Sequence, residues 1–328
     1  MGVPRRCDTI AAIFNRRDMN MIAGVFPGQG SQSIGMASGW GEHEDIAQAV
    51  FDRAGDVLGY DLWALVAEGD PAQLNQTERT QPAMLAADVA AWQIWRHNDG
   101  AMPAALAGHS LGEYAALVAA QSIDFEAAVA LVARRGQLMQ SAVAEGQGAM
   151  AAVLGLEDDA VRAVCEKAAD GEVCEAVNFN APGQVVIAGD RAAVERAEAI
   201  AGEEGAKRFV LLPVSVPSHS SLMREAGEQL RDEIAQVDIR PPQIPVIHNV
   251  DALTHDKPEA IATALVEQLF RPVQWVACVQ AMQAMGAGDQ VEFGPGKVLT
   301  GLARRIDRKM GAKAVFDQAT LEKALGAE

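Results

Sequence analysis

The chain has 328 residues, of which 49% are hydrophobic and 22% charged, with a formal net charge of −17. This composition excludes a disordered chain or a small module and fits one large globular domain, or one domain carrying an insertion. The acidic balance argues against nucleic-acid binding, because a phosphate backbone would be repelled, and no apolar run reaches the length of a membrane span.

Residues 1–20 differ from the rest. They carry Arg5, Arg6, Arg16 and Arg17, and their one apolar run, Ile10 to Phe14, is too short for a secretory signal. Gly2 stands at a myristoylation position, but Arg6 occupies the place where Ser or Thr is needed. The stretch reads as a disordered extension, with Met19 or Met21 as a natural beginning.

A strand from Ile22 to Phe26 runs into the glycine-rich loop Pro27-Gly28-Gln29-Gly30-Ser31-Gln32. The loop lacks the Gly-Lys-Ser/Thr ending of a P-loop, and Ser33 replaces the last glycine of a dinucleotide fingerprint. What remains is a loop with open backbone N–H groups at a strand's C-terminal end, where ligand sites of α/β sheets gather. Helical patterns follow at Asp45–Leu58 and Thr80–His97.

Ala104 to Gly108 is a short apolar strand, and it ends in Gly108-His109-Ser110-Leu111-Gly112-Glu113-Tyr114 before an Ala-rich helix. This is G-x-S-x-G between strand and helix, the nucleophile elbow. It lifts the Ser110 hydroxyl to the sheet edge and aims the Leu111 N–H at any oxyanion formed on an attached acyl group. The next helix is capped by Asp124 and runs to about Val143. It carries Arg134 and Arg135 on successive faces, so one turns inward while the other meets solvent.

From Ala149 to Val214 the pattern is β-α-β-β-α-β, the split βαβ arrangement of a ferredoxin-like unit. The expected architecture is therefore α/β. A large α/β-hydrolase-like parallel-sheet domain spans 21–147 and 217–328, and a small ferredoxin-like α+β subdomain is inserted at 148–216. A ligand cleft should lie between them. The chain leaves the insert through Val214-Ser215-Val216-Pro217-Ser218-His219. It continues through a helix at 221–236, a strand at Pro245–Ile247 and helices at 258–270 and 275–286. A strand at Gln290–Phe293, the Gly294-Pro295-Gly296 turn and a last helix at Lys297–Asp307 follow.

A serine nucleophile needs a base. Of the six histidines, His43, His97 and His255 lie in charged or loop surroundings and read as solvent-exposed, and the tight turn sends His109 elsewhere. His219, at the crossing between the two lobes, is favoured over His248. No acidic residue between Ser110 and His219 announces itself as a third member. Asp251 stays open as an orienter, and a backbone or amide carbonyl would instead make a dyad. The four cysteines, Cys7, Cys165, Cys174 and Cys278, show no metal-ligand spacing and read as buried or free thiols of a reducing, cytoplasmic compartment.

The chain from about Met21 to Asp307 resembles the acyl carrier protein S-malonyltransferases of fatty acid synthesis. The motifs Phe26-Pro27-Gly28-Gln29-Gly30-Ser31-Gln32, Gly108-His109-Ser110-Leu111-Gly112-Glu113-Tyr114, Val216-Pro217-Ser218-His219, Pro272-Val273-Gln274-Trp275 and Gly294-Pro295-Gly296-Lys297 carry the resemblance. It implies Ser110 as nucleophile, His219 as its base, the main-chain carbonyl of Gln274 as the orienter of His219, and the N–H groups of Gln29 and Leu111 as oxyanion hole. Arg135 would pair with the free carboxylate of a malonyl group, and Asn178 and Asn180 lie near the cleft. The implied reaction is ping-pong transfer from malonyl-CoA to the phosphopantetheine thiol of acyl carrier protein, with no cofactor, no metal, no nucleic acid and no membrane, by a monomer. Ser218 stands where modular polyketide acyltransferases often carry Phe. Alternatives are the malonyltransferase component of a malonate decarboxylase, a serine thioesterase or hydrolase, and a docking module without activity. Basic residues for docking an acidic carrier are Arg304, Arg305, Arg308 and Lys309, with Lys207 and Arg208 on the small lobe.

Overall fold

The computed structural model describes residues 21–214 and 216–326, so the expectation of a disordered N-terminal extension lies outside the described residues. Two sheets organise the chain. The first contains β1 (Met21–Phe26), β2 (Ala105–Gly108), β7 (Val246–Ile247), β8 (Ala287–Phe293) and β9 (Gly311–Val315). Its strands run in parallel in the order β7-β2-β1-β8-β9. The second contains β3 (Gly148–Leu154), β4 (Cys174–Ala181), β5 (Gln184–Asp190) and β6 (Arg208–Leu211), antiparallel in the order β4-β5-β3-β6. That is the strand order of a ferredoxin-like unit, as the β-α-β-β-α-β pattern predicts.

A parallel sheet is stable only with both faces covered, and the strand sequences supply apolar residues on both. Ala23 and Val25 of β1 join Ala105, Ala107 and Ile247 against the helix Trp275–Ala284. Phe26, Leu106, Val291 and Phe293 face the opposite way, onto the long helix Thr77–His97. The Phe293 ring lies 5.7 Å from Phe26, 5.3 Å from Trp92 and 5.5 Å from Trp95 between centroids. Phe26 and Phe293 end the strands that lead into the glycine-rich loop and the Gly294-Pro295-Gly296 turn. Their packing therefore fixes where both loops begin, and truncating either ring costs about 3–5 kcal/mol.

The small sheet covers one face with the helices Asp158–Ala169 and Arg191–Glu203 and leaves Met150, Val177, Val186 and Ala188 on the other. The two lobes are also tied by backbone. Val273 accepts from the Phe179 N–H at 3.0 Å and donates to the Val177 carbonyl at 2.8 Å.

Several elements differ from the sequence expectation. Asp124 precedes the helix Phe125–Ser141, yet its side chain makes no cap bond and pairs with Arg240 instead. The helix expected at 221–236 begins with a 3-10 turn at Ser221–Met223 and continues as Arg224–Ile234. β9 and the helix Gln318–Leu325 were not anticipated. Among the described residues no helix is long and apolar enough to cross a membrane.

Candidate active site

β2 ends at Gly108 and the next helix, Gly112–Ala119, starts four residues later. The turn between them allows no side chain at either glycine: a Cβ on Gly108 would collide with the Gly112 backbone, and one on Gly112 with the Phe26 carbonyl. Ser110 sits at the apex with φ of 52°, in the left-handed region that non-glycine residues avoid. Such a conformation costs about 1–3 kcal/mol and persists only where neighbours hold it. Asn249, just after β7, is that neighbour. Its Oδ1 accepts from the Ser110 N–H at 2.7 Å and its Nδ2 donates to the Gly108 carbonyl at 2.7 Å.

The Ser110 hydroxyl and His219 Nε2 are 2.8 Å apart. His219 also has a positive φ, 67°, and its N–H donates to the Leu269 carbonyl at 2.9 Å. Its Nδ1 lies 2.6 Å from the main-chain carbonyl of Gln268. With Nδ1–H donating there, Nε2 is left as the acceptor facing the hydroxyl, which is the tautomer a general base requires. Burial, and then the nearby Arg135 cation, push the imidazole pKa down to about 3. The ring is therefore neutral near pH 7, in the form that takes a proton.

The orienting carbonyl thus belongs to Gln268, which corrects the expectation for Gln274. The backbone of the Pro272-Val273-Gln274-Trp275 link is used elsewhere. Val273 bridges to β4, the Gln274 N–H donates to Asn249, and the Gln274 carbonyl accepts from Cys278 in the first turn of a helix. Asp251 is not the orienter either, since it pairs with His255 at 2.9 Å. Ser110 and His219 form a dyad completed by a main-chain carbonyl.

Arg135 points inward and is 1% exposed, while Arg134 is half-exposed and pairs with Glu233. The Arg135 guanidinium donates to Gln81 Oε1 at 2.8 Å, Gln268 Oε1 at 3.0 Å and Ser110 Oγ at 3.2 Å. All of these oxygens are neutral, and burial lowers the arginine's pKa. A buried cation beside a nucleophile, bonded to no carboxylate among the described residues, is built to receive an anionic group.

Gln29 and Leu111 line the same cleft as Ser110, His219 and Arg135, with a volume of about 480 Å³. Asn178 and Asn180 enter from the small lobe, and Asn180 Oδ1 lies 2.8 Å from His109 Nε2. Burial lowers the pKa of His109 too, and the ring's Nε2 is engaged with Asn180. His248 is fully buried, with its Nδ1 turned to Glu113 at 2.7 Å. His43 was expected at the surface and is instead buried, 3.1 Å from the Asn98 amide. Cys165, Cys174 and Cys278 are free and buried.

Sequence reasoning missed Gln81, Glu113, Asn249 and Gln268 as site residues. Glu113 alone carried a signal, as a carboxylate inside the otherwise apolar helix Gly112–Ala119. Gln268 ends a helix with no motif around it.

Comparison with known proteins agrees with this geometry. Residues 24–314 match the acyl transferase domain family. The chain is 50% identical over 307 residues to the malonyl CoA-acyl carrier protein transacylase of Salmonella typhimurium, covering 94% of this chain and 99% of the other. The acyl carrier protein S-malonyltransferase of Vibrio cholerae superposes with a TM-score of 0.90 at 53% identity, over 92% of this chain and 99% of that one. A malonyl-transacylase solved in complex with a type II polyketide acyl-carrier protein superposes with a TM-score of 0.92 at 48% identity, over 94% and 100%. The chain belongs to the acyl transferase family and, within it, to the malonyl CoA-acyl carrier protein transacylases.

Proposed function

We propose that Ser110 carries a malonyl group from malonyl-CoA to the phosphopantetheine thiol of acyl carrier protein, supplying chain elongation in fatty acid synthesis. The observation that carries this reading is Arg135, a buried guanidinium 3.2 Å from the Ser110 hydroxyl that pairs with no carboxylate among the described residues. Its planar fork matches the free carboxylate of a malonyl group.

The carboxylate of malonyl-CoA pairs with Arg135, which sets the thioester carbonyl over Ser110. The hydroxyl oxygen attacks the carbonyl carbon while its proton passes to His219 Nε2. The negative charge on the carbonyl oxygen is met by the N–H groups of Leu111 and Gln29. The carbon–sulfur bond then breaks, and the departing CoA sulfur takes the proton from His219. The malonyl ester of Ser110 remains. The carrier thiol next gives its proton to His219 and attacks the ester carbonyl, and Ser110 recovers a proton as it leaves. The two halves are the same chemistry run in opposite directions, which is ping-pong transfer.

The reaction needs no cofactor, since CoA enters and leaves as part of the substrate. The carrier is the partner named for the relatives, and a cytoplasmic monomer is the form we propose. Docking an acidic carrier on this acidic chain calls for local basic residues. Arg304 and Arg305 end the helix Val298–Ile306, and Arg305 hydrogen bonds to Gln184 at the cleft. With Arg308, Lys309, Lys207 and Arg208, they make the proposed carrier surface.

The test is the intact mass of the protein after brief exposure to malonyl-CoA. One malonyl adduct on wild type and none on Ser110→Ala is the expected result. An adduct that survives Ser110→Ala, or rapid release of free malonate with no adduct, points to a different nucleophile or to a hydrolase.

A further inference from the structure

Arg135 is charged and buried, with no direct carboxylate partner among the described residues, and something must make that arrangement tolerable. The hydrogen bonds lead to Glu113. Arg135 Nη2 donates to Gln268 Oε1 at 3.0 Å. Gln268 Nε2 donates onward to Glu113 Oε2 at 2.8 Å and to the Ser110 carbonyl at 2.9 Å. The Asn249 N–H donates to the same carboxylate oxygen at 3.0 Å, and His248 Nδ1 lies 2.7 Å from the other one. Glu113 and Gln268 are both fully buried.

This pattern fixes which way the Gln268 amide faces. Its nitrogen meets two pure acceptors, a carboxylate and a main-chain carbonyl, and its oxygen meets a pure donor. Turned over, the amide would set its NH2 against the guanidinium and its oxygen against the carboxylate. Glu113, together with the Ser110 carbonyl, thus keeps an oxygen, not an NH2, offered to Arg135. The buried anion also compensates the buried cation across one neutral amide, and its field favours the charged arginine. A carboxylate placed directly against Arg135 would occupy the bidentate face that an acyl carboxylate needs.

We propose that Glu113 is a positioning residue for the substrate's carboxylate: through the Gln268 side chain it holds Arg135 oriented and charged without itself pairing with the guanidinium. In this way it sets the preference for acyl groups that carry a carboxylate over those that do not. The proposal rests on the malonyl-transfer reading. Glu113 touches neither the acyl group nor the reacting atoms. It acts through Gln268 and Arg135.

The experiment compares loading of Ser110 from malonyl-CoA and from acetyl-CoA in wild type, Glu113→Gln, Arg135→Ala and the double variant. An amide at position 113 presents a donor as well as an acceptor and removes the buried charge. The malonyl-to-acetyl ratio of loading rates should fall about tenfold in Glu113→Gln, with the loss carried by KM for malonyl-CoA. In the Arg135→Ala background, where the ratio has already collapsed, Glu113→Gln should move it less than about twofold. A Glu113→Gln protein that slows both substrates equally and keeps the wild-type ratio would show a scaffold role and overturn the proposal. Should that variant not fold, Gln268→Glu examines the same relay while retaining the main-chain carbonyl that faces His219. A carboxylate there pairs with Arg135 directly and must lower the ratio, and an unchanged ratio overturns the proposal equally. Failure of the malonyl-transfer reading has a separate signature, because wild type would then take up no malonyl group at all.

Discussion

The parallel and antiparallel sheets border one cleft but bring different materials to it. The edge of the parallel sheet gathers Ser110, Glu113 and Asn249 after β2 and β7, with Gln268, Arg135 and His219 packed on them. Every one of these joins a hydrogen-bonded network whose members are mostly buried. The antiparallel sheet turns an apolar face toward the cleft, with Met150 and Val186 among the lining residues, and adds only Asn178 and Asn180 as polar groups from its strands' interior. The difference teaches where precision is needed. A strained serine and a neutral histidine must be held within hydrogen-bonding reach by paired polar groups, while the opposite wall has to exclude water from the acyl ester, for which apolar side chains suffice.

The strongest way to break this division is to remove a polar group from each side. His219→Ala should lower malonyl loading by about a thousandfold, measured by quenched-flow mass spectrometry, because the base is lost. Asn180→Ala should lower it no more than about tenfold, because the Asn180 side chain pairs with His109 rather than with Ser110 or His219. Equal losses would mean that the small lobe takes part in the chemistry. A weaker effect sharpens the account of the elbow. Asn249→Ala leaves the Gly108 carbonyl and the Ser110 N–H without their partners, so denaturant unfolding should show a loss of about 1–3 kcal/mol. An Asn249→Ala protein as stable as wild type would show that the tight turn holds itself.

The smallest effect is in pH dependence. Burial and Arg135 hold the His219 pKa down at about 3, against about 6.5 for an unperturbed histidine. Between those values the folded ring stays neutral while the unfolded chain takes up a proton. The group therefore withdraws stability as pH falls from 6.5 toward 3, and its base form persists over the same interval. The kcat/KM for loading, which reports the free enzyme, should show no histidine limb near pH 6.5. An inflection there would mean that the ring is not held as the geometry indicates. A carboxylate bound on Arg135 offsets the cation, so the limb in kcat should lie at higher pH than the limb in kcat/KM.

How much could be read without coordinates divides along physical lines. The elbow, the glycine-rich loop and the split βαβ unit are local, because each depends on neighbours in sequence whose sterics dictate a turn or a period. Ser110 and the Leu111 N–H beside it were legible for that reason, whereas Gln29 and the choice of Arg135 over Arg134 came from the family resemblance. The orienter of His219 was not. A main-chain carbonyl has no residue signature, and the reading that placed it at Gln274 chose a motif whose backbone in fact joins the two lobes. Gln268 and Asn249 were invisible because an amide at a helix end or after a strand gains its role only from what the fold brings against it. His43 failed similarly: charged neighbours suggested solvent, while the contacts with Asn98 and His97 that bury it are distant in sequence.

A transacylase must hold the acyl group on Ser110 for a thiol rather than for water. The most direct measurement isolates the malonyl-enzyme free of CoA and follows its decay with and without phosphopantetheinylated acyl carrier protein. Malonyl should appear on the carrier thiol about a hundredfold or more faster than free malonate appears in buffer. Decay at one rate in both conditions, with malonate as the product, would contradict it.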